Sequence, residues 1–111
     1  MSTYRLQKLN SLIKEEVGKL IQEEFDFKEG VLVSVTKAET SPDITHVKIS
    51  ISVLPENEEV NILKELEKNI YHIQKLLNKR LVLRYVPKIR FVIDQSIKKA
   101  ARIEELAKKI K

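Results

Sequence analysis

The sequence predicts an α+β domain in the order helix, strand, strand, helix, strand, helix, with helices covering one face of a three-stranded mixed sheet. Three observations carry this. Apolar residues recur at three- and four-residue steps near the N-terminus, in the middle and at the C-terminus, the spacing of amphipathic helices. Between them, three short stretches alternate apolar and polar residues with the period of a strand. The first two of these stretches are separated by a short turn and read as an antiparallel hairpin. The third is reached through a long helix, a connection that returns a strand parallel to a neighbour.

From Tyr4 to Phe25, the residues Leu6, Leu9, Ile13, Val17, Leu20 and Ile21 draw one apolar stripe, with Ser2 or Thr3 placed to cap the start. Gly18 lies inside this helix and weakens it by up to about 1 kcal/mol relative to alanine. Asp26 to Gly30 reads as a turn. Val31, Val33 and Val35 then alternate with Leu32, Ser34 and Thr36, and after Thr40-Ser41-Pro42-Asp43 the pattern resumes with Val47, Ile49, Ile51 and Val53 around Lys48, Ser50 and Ser52. The second strand therefore shows one polar face. Pro55 ends the hairpin, and Asn57 followed by Glu58 and Glu59 reads as a helix cap with acids at the favourable end of the dipole. Ile62, Leu63, Leu66, Ile70, Ile73, Leu76, Leu77 and Leu81 continue as one helix of about twenty residues. A third strand runs from Lys88 to Asp94. Ser96 is placed to cap a last helix, where Ile97, Ala100, Ile103, Leu106, Ala107 and Ile110 form the apolar side.

At 111 residues the chain reads as one domain spanning 1–111, without repeat or low-complexity tract. Apolar residues make up 42% and charged residues 33%, the composition of a folded, charge-rich protein. The chain contains no cysteine, which excludes disulfides and thiolate metal sites and fits a reducing, cytoplasmic setting. No apolar run has signal-peptide length, and none approaches the roughly 20 residues that span a bilayer. Secretion and membrane insertion are not expected.

No catalytic constellation is present. His46 and His72 lie in different elements and in no metal-ligand spacing, and the paired glutamates at 15–16, 23–24, 58–59 and 104–105 read as solvated helix faces. Ser96 lacks the glycines of a nucleophile elbow. The chain is expected to be neither an enzyme nor a cofactor or metal binder.

One stretch has a consequence beyond folding. Between Lys75 and Arg102 stand Lys75, Lys79, Arg80, Arg84, Lys88, Arg90, Lys98, Lys99 and Arg102, nine cations against the single acid Asp94. The whole chain carries only +5, so the basicity is concentrated there. Clustered lysines and arginines attract polyanions by releasing condensed counterions, and guanidinium groups add forked phosphate contacts or stack on unpaired bases. Tyr71 and Tyr85 lie close in sequence, although tyrosines in such positions also pack at a core margin.

Several short stretches, in this order, resemble the ribosome-binding factor A family. They are Ser41-x-Asp43-Ile44 followed by Val47-Lys48-Ile49-Ser50-Ile51-Ser52, then Leu76-Leu77, then Leu83-Arg84-Tyr85-Val86-Pro87-Lys88-Ile89-Arg90-Phe91, and finally Asp94-x-Ser96 with Arg102-Ile103-x-x-Leu106. The resemblance covers almost the whole chain. It implies a type II KH-like domain in which a kink between two helices, built on Ala-x-Gly, replaces the nucleic-acid-binding GxxG loop. This chain departs from that pattern, with Asn69, Ile70 and Tyr71 at the matching positions, so the resemblance implies a kink where the periodicity allows one continuous helix. Asp26-Phe27-Lys28 stands where the family often has Asp-Pro-Arg.

The resemblance also implies a function: a non-catalytic ribosome assembly factor, monomeric and cytoplasmic, that binds the small ribosomal subunit precursor and its rRNA and assists late maturation and processing. On this reading Lys75, Lys79, Arg80, Arg84, Lys88 and Arg90 make phosphate contacts, with Lys98, Lys99 and Arg102 next. A different class of function is a protein-interaction adaptor whose amphipathic helices dock on another protein. A third is a basic helix from Ile97 to Lys111 lying on anionic membranes.

Overall fold

The computed structural model describes residues 3–96. The last predicted helix lies outside the described residues, as do Lys98, Lys99 and Arg102. Within them the order is α1 (Thr3–Glu24), β1 (Leu32–Thr40), β2 (His46–Leu54), α2 (Glu59–Lys68), α3 (Ile70–Arg80) and β3 (Lys88–Ile93), with a single 3-10 turn at Glu56–Glu58 before α2. The strands form one sheet in the order β1-β2-β3. β1 pairs antiparallel with β2, and β2 parallel with β3, so the sheet is mixed as the connections predict.

The period-2 pattern decides which face is buried. Val47, Ile49, Ile51 and Val53 of β2 and Ile89 and Phe91 of β3 point to one side, where they meet Ile13, Val17, Leu20 and Ile21 of α1, Ile62 and Leu66 of α2, and Ile73 and Leu77 of α3. All described helices therefore pack on the same face. Leu66 and Leu77 are fully enclosed, and truncating either to alanine is worth about 2–5 kcal/mol. The opposite face carries the polar residues of the alternation and has no described helix over it.

Helix side-chain amides bond a few of the outward backbone groups at each edge of the sheet. On β1, the Thr40 N–H donates to Asn10 Oδ1 at 2.9 Å, and Gln22 of the same helix donates to the Val33 carbonyl at 3.5 Å. On β3, Gln74 of α3 accepts from the Ile89 N–H at 2.9 Å and donates to the Pro87 carbonyl at 3.1 Å. Unpaired strand edges invite further strands, and these amides take up part of each edge.

Two local readings are corrected. The predicted twenty-residue helix is two helices, broken at Asn69, whose backbone sits at φ −104° and ψ 15°. Its N–H is shared between the carbonyls of Glu65 (3.3 Å) and Leu66 (3.2 Å), and its side-chain amide also donates to Glu65 at 2.8 Å. Asn69 thus draws on the Leu66 carbonyl, which a continuous helix would offer to the Ile70 N–H, and helical bonding resumes where the Ile73 N–H donates to the Asn69 carbonyl at 3.0 Å. The break that the family builds on glycine is built here on Asn69, with Ile70 half-buried and Tyr71 90% exposed.

The second correction concerns Asn57, which lies inside the 3-10 turn. Glu58 stands at the cap position of α2 without a side-chain cap bond, and its carboxylate pairs instead with Lys28 at 2.8 Å. The Ser96 N–H and hydroxyl both donate to the Asp94 carboxylate, and the helix that Ser96 is expected to cap lies outside the described residues.

Candidate nucleic-acid interface

The open face of the sheet is built by strand alternation and by the parallel register of β2 and β3. Lys88 stands beside His46 and Arg90 beside Lys48, while Glu39 of β1 is the antiparallel partner of Lys48. Each of these side chains is exposed, and Lys48, Lys88 and Arg90 lie between buried neighbours in sequence. They line a shallow depression of 580 Å³ with Thr40 and Ser41. Glu39 is the one acid in it, held 3.6 Å from Lys48 and 4.0 Å from Lys37. Lys88 and Arg90 have no carboxylate within ion-pairing distance among the described residues.

Farther along the same face the charge stops. Ser50 is only 6% exposed and small, as is Ser52, and over them the Thr36 hydroxyl donates to the Asp94 carboxylate at 2.5 Å. Hydrogen bonds from Ser96 and then Thr36 hold the Asp94 carboxyl down to about 2. Beyond this bridge lie Leu32 and Leu54, a cross-strand pair, 66% and 57% exposed. The basic end of the sheet is the end that carries the β1–β2 turn.

That turn is tightly made. The Asp43 carboxylate accepts from the Ser41 hydroxyl at 2.6 Å and from the Thr45 hydroxyl at 2.8 Å, and the Ser41 oxygen accepts from the Thr45 and His46 N–H groups. These bonds, Ser41 first, hold Asp43 below the usual carboxylate range. They also hold Ile44 at φ 60°, a left-handed conformation that costs a β-branched residue roughly 1–2 kcal/mol.

The structure brings together only part of the predicted cation set. Lys88 and Arg90 share the open face. Arg84 is exposed in the loop before β3, its guanidinium carbon 5.9 Å from the centre of the Tyr85 ring. Lys75 and Lys79 are exposed on α3, in the helical layer behind the sheet. Arg80 is paired with α1, 3.6 Å from Glu16 and in a short contact with Glu23, and these acids, Glu23 foremost, raise its proton affinity. It serves to fasten α3 to α1.

Lys48, Lys37 and His46 complete the basic end and were not among the predicted contacts. The signal was present in the alternation of β2, but only the register with β3 places Lys48 beside Arg90. Among the described residues no three His, Cys, Asp or Glu side chains gather as a metal site.

Comparison with known proteins agrees with this architecture. A family model described as "Ribosome-binding factor A" matches residues 5–107. The chain is 37% identical over 112 residues to a ribosome-binding factor A of Halothermothrix orenii, covering 100% of this chain and 92% of that protein. A Coxiella burnetii protein of the same name is 35% identical, with 92% and 86% covered. Among solved structures, the solution structure of a putative ribosome binding factor A from Thermotoga maritima superposes with TM-score 0.73 at 24% identity, covering 86% and 92% of the two chains. A Thermus thermophilus ribosome binding factor A, fitted as a homology model into a cryo-electron-microscopy map of its 30S complex, gives TM-score 0.65 at 18% identity, with 78% and 91% covered. With the helix order, the mixed sheet and the broken helix all in place, the chain belongs to the ribosome-binding factor A family.

Proposed function

We propose that this chain is a non-catalytic assembly factor that binds the small ribosomal subunit precursor through its rRNA and acts in the cytoplasm as a monomer late in maturation and processing. The observation that carries the reading is the gathering of Lys48, Lys88 and Arg90 on one open sheet face with Glu39 as the sole acid of the depression. Membership in the family supports it, and so does the Thermus relative described in a 30S complex.

The chemistry is electrostatic. Each cation that meets a phosphate releases condensed counterions, and the fixed spacing of a sheet presents those cations without a large ordering cost. Arg84, at the turn end, extends the surface. Lys75 and Lys79 supply weaker, peripheral attraction from the helical layer, and the expected contacts of Lys98, Lys99 and Arg102 add to it. Such a binder shifts an RNA folding equilibrium only as far as its affinities for the two RNA states differ. A hundredfold preference corresponds to about 2.8 kcal/mol.

The test is sedimentation of lysate containing tagged protein. The wild-type chain is expected to migrate with immature small subunits and not with translating ribosomes. A Lys48→Glu, Lys88→Glu, Arg90→Glu variant with unchanged melting temperature is expected to remain at the top of the gradient. Migration of that variant with the subunits would refute the reading.

A further inference from the structure

The turn that bounds the basic sheet face also walls a second concavity of opposite chemistry. A half-open cleft of 610 Å³ lies between the first turns of α1, the β1–β2 turn and the loop before β3, and its lining is chiefly Leu6, Leu9, Leu12, Ile44, Leu83 and Tyr85. Leu6 and Leu9 are the half-buried N-terminal end of the α1 stripe, Leu9 also packing against the core, while Leu12 and Leu83 are 41% and 39% exposed. Ile44 reaches the cleft from the left-handed residue of the turn, a strained conformation that the Ser41–Asp43–Thr45 hydrogen bonds maintain. Lys8 and Arg84 stand among the lining residues. Asp43, the acid of the lining, has its Oδ1 occupied within the turn by Ser41 and Thr45.

We infer that this cleft is a docking groove for an acidic amphipathic helix of another protein, a surface that adjoins the RNA-binding face at Arg84 and is otherwise separate from it. Charge selects among the candidate occupants. The chain's own segment 97–111 carries six cations against two acids, and a second copy brings a net charge of +5, so both are repelled by the Lys8 and Arg84 rim. An unstacked nucleotide satisfies the rim but not the interior. The edges of a base need hydrogen-bond partners, and the hydroxyl of Thr45 and the Oδ1 of Asp43 are already engaged, which leaves a wall made mainly of leucine and isoleucine side chains with the Tyr85 ring beside them. Aliphatic or aromatic anchors flanked by Asp and Glu meet both demands. The i, i+3, i+6 spacing of Leu6, Leu9 and Leu12 offers about two turns against which a partner helix can lay anchors at three- and four-residue steps. The volume lies within the ~300–1,000 Å³ typical of binding pockets.

The test is methyl NMR on the full chain, titrated with a peptide of about 14 residues carrying Leu and Phe at those steps and Glu elsewhere. A scrambled peptide of the same composition and an oligo-uridine RNA serve as comparison probes. The expected result is saturable shifts of the Leu6, Leu9, Leu12 and Ile44 methyls with the first peptide alone. Affinity is expected to fall at least about tenfold in L12E/L83E and about threefold in K8E. If L12E/L83E loses its native spectrum, K8E and a neutral L12Q decide. Unmoved cleft methyls, equal response to the scrambled peptide, or saturation by oligo-uridine at the same methyls would overturn the inference. Subunit co-sedimentation should persist in L12E/L83E, and its loss there would equally contradict two separate surfaces.

Discussion

Asp94 shows how much one side chain organises. Its carboxylate joins Thr36 of β1 to the residues after β3 across the intervening strand, and it is held down to about 2 by Ser96 and Thr36. A carboxyl more acidic in the folded state than in the unfolded chain, where its value is 3.8, takes up its proton more readily on unfolding. Its stabilising contribution is therefore complete above about pH 4 and disappears as pH falls toward 2. Chemical denaturation from pH 5 to 2 should show wild type losing its advantage over Asp94→Asn across that interval. Gly18 makes the converse point. A methyl group built on it meets nothing within 4 Å, and its φ is not in the left-handed region, so the helix bears the entropic cost of glycine without a packing reason. Gly18→Ala should gain about 0.5–1 kcal/mol, read as a melting temperature higher by roughly 2–6 °C.

At the scale of elements, the helices were legible from their stripes and the strands from their alternation, because both periods survive in the residues that fill the core. What was not legible was where helices end and what fastens them. The apolar steps from Leu66 to Ile70 to Ile73 fit a continuous helix equally well, and the break shows in the Asn69 N–H reaching the Leu66 carbonyl that Ile70 would otherwise use. Arg80 read as a phosphate contact because a local charge run does not reveal that α1 brings Glu16 and Glu23 beside it. Gln74 had no signal at all, since its role depends on α3 lying along the free edge of β3. Removing it leaves the Ile89 N–H and the Pro87 carbonyl without partners at the start of the strand that presents Lys88 and Arg90. Gln74→Ala should cost about 1–3 kcal/mol, and hydrogen exchange should quicken at the Ile89 amide while the β1–β2 amides keep their protection.

For the whole molecule, the arrangement leaves the sheet one way to meet a partner. Among the described residues the helices fill one face and Asn10, Gln22 and Gln74 bond part of each edge, and the polar face is the one on which parallel register aligns cations. The sequence located half of that surface, Lys88 and Arg90, because charge density along the chain coincides there with one strand. Lys48 joined it only through pairing between segments about forty residues apart. The measurement that bears most directly on this account is the salt dependence of small-subunit binding. Each phosphate contact contributes about 0.7–0.9 to the slope of log affinity against log salt. Neutralising Lys48, Lys88 and Arg90 to glutamine should make the slope shallower by about 2–3 at unchanged melting temperature. An unaltered slope in that variant would place the contact surface elsewhere and contradict the account.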